Sequence, residues 1–230
     1  LTYDMIIVDE ASMLDVYIAA KLMEAVPEGA QLVFVGDADQ LPSVGPGAVL
    51  SELIASERVP VIRLDRVYRQ KAGSRIALNA QLIRHGNLNI EYGKDFRFID
   101  SPELSQSAQT IEELYVQKVR EYGIDRVAML TPFRQKTETS VNALNEVLRD
   151  RVNPPSPSKA ECAIGRKVFR EGDKVMLCKN RGDVNNGDIG RIVRIQTGFH
   201  ETVLRVDFGD DKVIEFDKEC FDMFDWGYAS

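Results

Sequence analysis

The chain has 230 residues, of which 44% are hydrophobic and 28% charged, with a formal net charge of -7. That length and composition suit a globular protein with one or two cores. The acidic balance excludes wholesale coating of nucleic acid but leaves room for a local basic groove. Met5-Ile6-Ile7-Val8 is an unbroken apolar run ending in Asp9-Glu10-Ala11-Ser12, the pattern of a parallel strand buried on both faces. Leu14, Ile18, Leu22 and Met23 then recur at helical spacing over 13–25. A second buried-type strand, 31–35, runs into Gly36-Asp37-Ala38-Asp39-Gln40-Leu41-Pro42, and helix 48–56 and strand 61–64 follow. Alternating strand and helix is the grammar of a parallel α/β sheet.

A helix over 74–84 precedes a looser stretch, which predicts a domain boundary near residue 90. A second α/β unit is expected beyond it, with strand 96–99, helix 111–122, strand 127–130 and a helix carrying Val141, Leu144 and Leu148. Asn153-Pro154-Pro155-Ser156-Pro157-Ser158 reads as a linker, because proline cannot continue a helix or a central strand. Short alternating strands at 174–177, 189–195, 202–208 and 212–216 follow, with Asn186-Gly187 as a hairpin signal. They predict a small antiparallel barrel over 165–218.

No apolar stretch reaches transmembrane length and no secretory signal is read, so the expected setting is cytoplasmic, with no membrane partner. Cys162, Cys178 and Cys220 have neither paired metal spacing nor an even disulfide count, and read as free thiols.

The chemistry is concentrated in three clusters. In open α/β sheets ligands bind beyond the carboxyl ends of the strands. Asp9 and Glu10 sit at such an end, where one carboxylate can hold magnesium and the other can handle a water proton. Asp39 and Gln40 follow the next strand, and Gln40 is placed to feel a γ-phosphate. Arg69, within Tyr68-Arg69-Gln70, is a cation able to neutralise charge on a transferred phosphoryl group. Each cluster alone also fits a helix cap, a turn or a surface ion pair.

The order and spacing of the three resemble the superfamily 1 DNA helicases, in the RecD-like branch of exodeoxyribonuclease V alpha subunits and their relatives. Asp9-Glu10-Ala11-Ser12 resembles the Walker B motif, and the string from Gly36 to Gly47 resembles helicase motif III. Leu64 to Gln70 is similar to motif IV, and Thr131-Pro132 to the start of a second motor domain. Gly172-Asp173-Lys174-Val175-Met176 with Asn186-Gly187-Asp188-Ile189-Gly190 resembles the SH3-like insertion of that branch.

The resemblance implies parts of two RecA-like P-loop NTPase domains, 1–90 and 91–160. It adds an inserted SH3-like β-barrel over 165–218 and a return toward the second motor domain over 219–230. It implies ATP and magnesium as cofactors, with Asp9 on the metal, Glu10 activating water, Gln40 sensing the γ-phosphate and Arg69 as arginine finger. Leu41, Pro42, Ser43, Val44, Thr131 and Pro132 would lie near single-stranded DNA. The expected partners are single-stranded and duplex DNA and the subunits of a recombination complex, with 5′ to 3′ translocation in recombination and repair.

The barrel segment adds a local excess of positive charge, in which Lys179 and Arg181 flank the Gly182–Asn186 loop. Asn186 ends the loop expected closest to DNA, and phosphate contacts there would be strongly salt-dependent. A solvated barrel face is the plainer alternative. Asn185 stands where relatives often carry an apolar residue.

A Gly-x-x-x-x-Gly-Lys-Ser/Thr string, which cradles ATP phosphates, is absent from the sequence. The expectation is an internal fragment of a longer helicase, inactive as an ATPase on its own. Alternatives are a non-motor nucleic-acid-binding protein, a nucleotide kinase-like P-loop enzyme and the helicase part of a conjugative relaxase.

Overall fold

The structure, a computed structural model, describes residues 1–64, 73–198 and 202–230, in two units, Leu1–Phe98 and Ile99–Ser230. In the first unit, β1 (Met5–Val8) and β2 (Gln31–Phe34) pair in parallel, from Met5 opposite Gln31 to Val8 opposite Phe34. Their carboxyl ends are therefore level. The crossover is α1 (Val16–Ala25), shorter than the apolar spacing predicts. Asp15 starts it as N-cap, its carboxylate accepting from Ile18 N at 2.8 Å, and residues Ala11–Met13 form a separate 3-10 turn.

Two further helices, α2 (Val49–Ala55) and α3 (Arg75–Arg84), complete the first unit. Asp95 holds the start of α3, accepting from Arg75 N at 2.8 Å and Ser74 Oγ at 3.1 Å. The Arg75 backbone N–H, with the Ser74 hydroxyl and the Arg75 charge, lowers the Asp95 carboxyl below the usual carboxylate range. The carboxamide of Asn79 clamps residue 91 to this helix, donating to Glu91 O at 2.7 Å and accepting from Glu91 N at 2.9 Å.

Several expectations need correction. With two strands in this sheet among the described residues, β1 is not buried on both faces. Met5 is 53% and Ile7 63% exposed. Residues 61–64 and 96–99 form no strand, for neither run finds a partner among the described residues.

In the second unit α4 (Leu104–Tyr122) begins well before residue 111 and packs against α5 (Val141–Val152). Tyr115 of α4 and Leu144 and Leu148 of α5 enter one core. Residues 127–130 are not a strand, although Met129 and Ser230 share a backbone hydrogen bond of 3.0 Å. A hairpin that sequence patterning misses, β3 (Glu161–Ile164) with β4 (Lys167–Arg170), follows the proline segment. Next come β5 (Lys174–Leu177), β6 (Ile189–Thr197), β7 (Thr202–Asp207), β8 (Val213–Phe216) and β9 (Phe224–Trp226).

These last five strands form one antiparallel sheet in the order β8-β7-β6-β5-β9. The expected SH3-like barrel over 165–218 is therefore overturned: the sheet is open. Its two edge strands, β8 and β9, are not paired with each other among the described residues. The hairpin that Asn186-Gly187 signals does form: β5 and β6 pair antiparallel, from Lys174 opposite Arg191 to Met176 opposite Ile189. Its connection is the long loop 178–188, with Asn186-Gly187 in the returning arm.

Beneath the sheet, Asp173 is fully buried and gathers four donors. Its carboxylate accepts from Arg149 Nε at 3.0 Å, Arg170 N at 2.8 Å, Asn153 Nδ2 at 2.6 Å and Tyr228 OH at 2.9 Å. Burial, and then the Asp173 charge, raise the Tyr228 phenol. Asn145 of α5 adds a second tie, donating to Trp226 O and Ala229 O and accepting from Ala229 N. α5, the sheet and residues 226–229 are thus one polar-bonded core. Among the described residues no helix is long and apolar enough to cross a membrane.

Candidate nucleotide and nucleic-acid sites

Asp9 and Glu10 leave β1 at the carboxyl edge of the parallel pair. Glu10 adopts a left-handed backbone, φ 51° and ψ 39°, uncommon for a residue other than glycine and a mark of local constraint. Asp9 Oδ1 accepts from Glu10 N at 2.9 Å, and Ala11 N donates to Val35 O at 2.9 Å. The turn is thereby sewn to the end of β2. Both carboxylates are exposed, while Ser12 is buried and its hydroxyl finds no partner among the described residues.

Gly36 permits this closeness. A Cβ there would lie 3.0 Å from both Ala11 N and Ser12 N and 2.9 Å from Leu50 Cδ2. The Asp9–Ser12 turn and the Asp37–Gln40 segment therefore share one sheet edge. Asp37 organises the second segment: Oδ1 accepts from Asp39 N at 3.0 Å, and Gln40 Nε2 reaches Oδ2 at 3.5 Å. Asp39 pairs with Arg84 at 3.3 Å.

Leu41 to Val44 continue as an exposed loop. Leu41 is 88% exposed and Val44 fully so. The Ser43 hydroxyl shares its proton between Gly45 O at 3.0 Å and Gly47 O at 2.9 Å, so it shapes the loop. Val16 N donates to Pro46 O at 2.9 Å, and a Cβ on Gly45 would lie 2.2 Å from Asp15 Oδ2. The loop is pressed against the start of α1, which leaves its two apolar tips projecting. Arg69, with Tyr68 and Gln70, lies outside the described residues.

Asp9 fits a magnesium ion held through water, with phosphate oxygens completing the shell, as is usual for that ion. It does not make an all-protein cage: no group of three or more His, Cys, Asp or Glu able to hold a metal occurs among the described residues.

In the second unit, Thr131 donates its hydroxyl to Thr139 O at 2.6 Å and its backbone N–H to Ser230 O at 3.0 Å. Pro132 is exposed beside it. Lys179 pairs with Asp222 at 2.5 Å. Arg181 lies over the Phe216 ring at 4.7 Å and donates to Glu215 O at 3.4 Å. Asn186 N donates to the Asn180 side chain at 2.7 Å, and Val184 inserts fully into the core. The 178–188 loop is thus rigidly anchored, and both of its predicted cations are engaged within the protein.

Sequence reasoning missed Gly36 as the close-approach residue and the exposed Phe133-Arg134 pair beside Pro132. The first had a readable signal, glycine directly after a buried-type strand. The second had none, because its exposure depends on how loop 131–140 is folded.

Comparison with known proteins bears on both sites. Residues 2–101 match the family model described as an AAA domain, and residues 144–208 match that of the ATP-dependent RecD-like DNA helicase SH3 domain. The chain is similar to the ATP-dependent RecD2 DNA helicase of Deinococcus radiodurans, 33% identical over 231 residues. That alignment covers 99% of this chain and 30% of the relative. A RecBCD enzyme subunit RecD of Mycobacterium tuberculosis is 33% identical over 145 residues, 57% of this chain and 25% of the relative. A solved structure of two coordinating Pif1 helicases at forked double-stranded DNA shares the fold, with a TM-score of 0.52 and 16% identity. It covers 99% of this chain and 59% of that one. The chain therefore spans less than a third of the curated relatives it matches.

Proposed function

The chain belongs to the RecD-like branch of the superfamily 1 DNA helicases, and we propose that it supplies the water-activating edge and part of the DNA track of an ATP-driven motor. In this reading the whole protein translocates on single-stranded DNA, 5′ to 3′, and unwinds duplex in recombination or repair. Residues 1–90 belong to a first motor domain, 91–160 and 219–230 to a second, and the antiparallel sheet lies against DNA. The observation that carries the reading is the left-handed Glu10 at the carboxyl edge of a parallel pair, with the Asp37–Gln40 segment beside it.

Magnesium-ATP, when bound, supplies the phosphoryl group and neutralises its charge. Asp9 holds the ion's water shell. Glu10 accepts a proton from the attacking water, a role open to an exposed carboxylate fixed by its backbone. Gln40 links the γ-phosphate to the following Leu41–Val44 loop, whose apolar tips meet the single strand. Arg69 stabilises charge on the transferred group. In the second unit, Thr131, Pro132, Lys179, Arg181 and Asn186 contact single-stranded DNA.

The deciding experiment is Glu10→Gln in the full protein. It should keep ATP binding and lose DNA-stimulated turnover by at least 100-fold, the scale of general-base catalysis (~10²–10⁴). Unchanged turnover would remove Glu10 from the role. The 230-residue chain alone, whose sequence has no lysine loop for the phosphates, should show no such turnover.

A further inference from the structure

Resting on that helicase reading, we infer that Phe133, Arg134 and Lys167 form a stacking and phosphate-binding site for single-stranded DNA on the second unit. Phe133 is 55% exposed in a loop of fixed shape. Val141 N donates to Phe133 O at 2.8 Å and Asn142 N to Arg134 O at 3.2 Å, so the loop caps the first N–H groups of α5. Thr131 ties the loop's base to Thr139 O and Ser230 O. An aromatic ring held outward on a pinned backbone is a preformed platform for a base, and stacking tolerates any sequence because every base has a π-face.

The cations beside it come from different segments of the chain. Arg134 lies 3.8 Å from Asp225 Oδ2, and Lys167, from the β3–β4 hairpin, pairs with Asp225 Oδ1. One carboxylate, 13% exposed, thus draws two cations to a single spot and leaves one positive charge over. Arg134 itself is 73% exposed, and at 3.8 Å its ion pair is loose enough to be exchanged for a phosphate. Arg166 at the hairpin turn and Lys136 in the loop add exposed positive charge, against Glu138 in the same loop. Lys179 pairs with Asp222, and Cys178 N donates to Met223 O at 2.6 Å, which brings the start of the 178–188 loop beside the Asp225 strand. Loop 131–140, the hairpin and the 178–188 loop therefore converge on β9. A strand crossing here meets a ring for one base and cations for the neighbouring phosphates.

The test is fluorescence-anisotropy binding of a labelled oligothymidylate to the 230-residue chain across a salt series. Phe133→Leu should weaken binding about tenfold, within the range for losing one base stack, with the salt slope unchanged. Phe133→Tyr should restore it. The double variant Arg134→Ala, Lys167→Ala should weaken binding and flatten the log–log salt slope by about 0.7, one single-strand phosphate for the one positive charge left over. Lys21→Ala, in α1 of the other unit, controls for net charge and should change neither. Wild-type binding that all the variants share would overturn this site while leaving the helicase reading intact. No binding by the wild-type chain at low salt would overturn the site outright, whereas loss of DNA-stimulated turnover by the full protein tests the wider reading separately. Circular dichroism confirms that each variant is folded.

Discussion

Glu10 holds a backbone conformation that disfavours its own side chain. At φ 51° an L-residue other than glycine is strained by roughly 1–2 kcal/mol. Structural economy alone would place glycine there. Glu10→Gly should therefore stabilise the chain by about 1 kcal/mol in urea denaturation, whereas Glu10→Gln should not, because it keeps the Cβ. Equal stability of the Gly and Gln variants would show that the turn carries no strain. At this scale much of the candidate edge was legible. Asp9, Glu10 and the Gly36–Gln40 string are contiguous in sequence, so their types and order could be read directly. The strain could not be read, since nothing in a glutamate signals positive φ. The tight fit of Gly36 against the Ala11 and Ser12 N–H groups is a tertiary fact. Arg69 could be read as a candidate finger, but it lies outside the described residues.

Among the elements, the joint between α5 and the antiparallel sheet is the most committed part of the second unit. Asp173 is fully buried, and Arg149, 7% exposed, donates to it through Nε while its Nη2 finds no partner among the described residues. Removing Asp173 leaves the buried Arg149 to the 3.4 Å contact with the exposed Asp150 carboxylate. Asp173→Ala should cost about 3–5 kcal/mol. Tyr228→Phe, which removes one of four donors, should cost only about 1 kcal/mol. Urea midpoints at constant m would check both, and an Asp173→Ala loss below that for Tyr228→Phe would refute the hub. Lys174, next in β5, reaches Val127 O at 2.8 Å and Ile124 O at 3.2 Å, and burial lowers its ammonium pKa against the pull of Asp125. The sequence yielded the long helices and the strands with clear alternation. It did not yield β3, β4 or β9, whose short runs mix charged and apolar residues. It over-read 61–64, 96–99 and 127–130, where apolar runs lack strand partners. The barrel failed for a related reason: alternation marks a strand but does not say whether the edges of its sheet will pair.

Across the whole molecule, apolar burial is unevenly divided between the two units. In the first, the described buried apolar residues are Ala11, Ala19 and Leu50, while Met5, Ile7, Val35 and Ile18 lie exposed. The second gathers Phe169, Val175, Leu177, Ile192, Leu204, Val206 and Phe216 into one core, joined by the polar ties of Asp173 and Asn145. At roughly 25 cal/mol per Å² of apolar surface removed from water, the second unit has far more to hold it folded. Local opening follows that difference, because protection from exchange tracks the free energy of the smallest opening that frees an amide. Hydrogen–deuterium exchange on the 230-residue chain should therefore show the β1 and β2 amides exchanging at least 100-fold faster than those of β5, β6 and β7. A factor of 100 is about 2.7 kcal/mol of opening free energy, the scale of one or two buried aliphatic side chains. Equal protection would mean that backbone ties, such as the Ala11–Val35 bond and the Asn79 clamp, hold the first unit as firmly as a core does. If the difference is found, the edge that carries Asp9 and Glu10 is the softer part of the chain. Under the proposed function, magnesium-ATP added to the full protein would then slow exchange at β1 and β2 more than at β5, since a ligand stabilises most the region whose opening would release it.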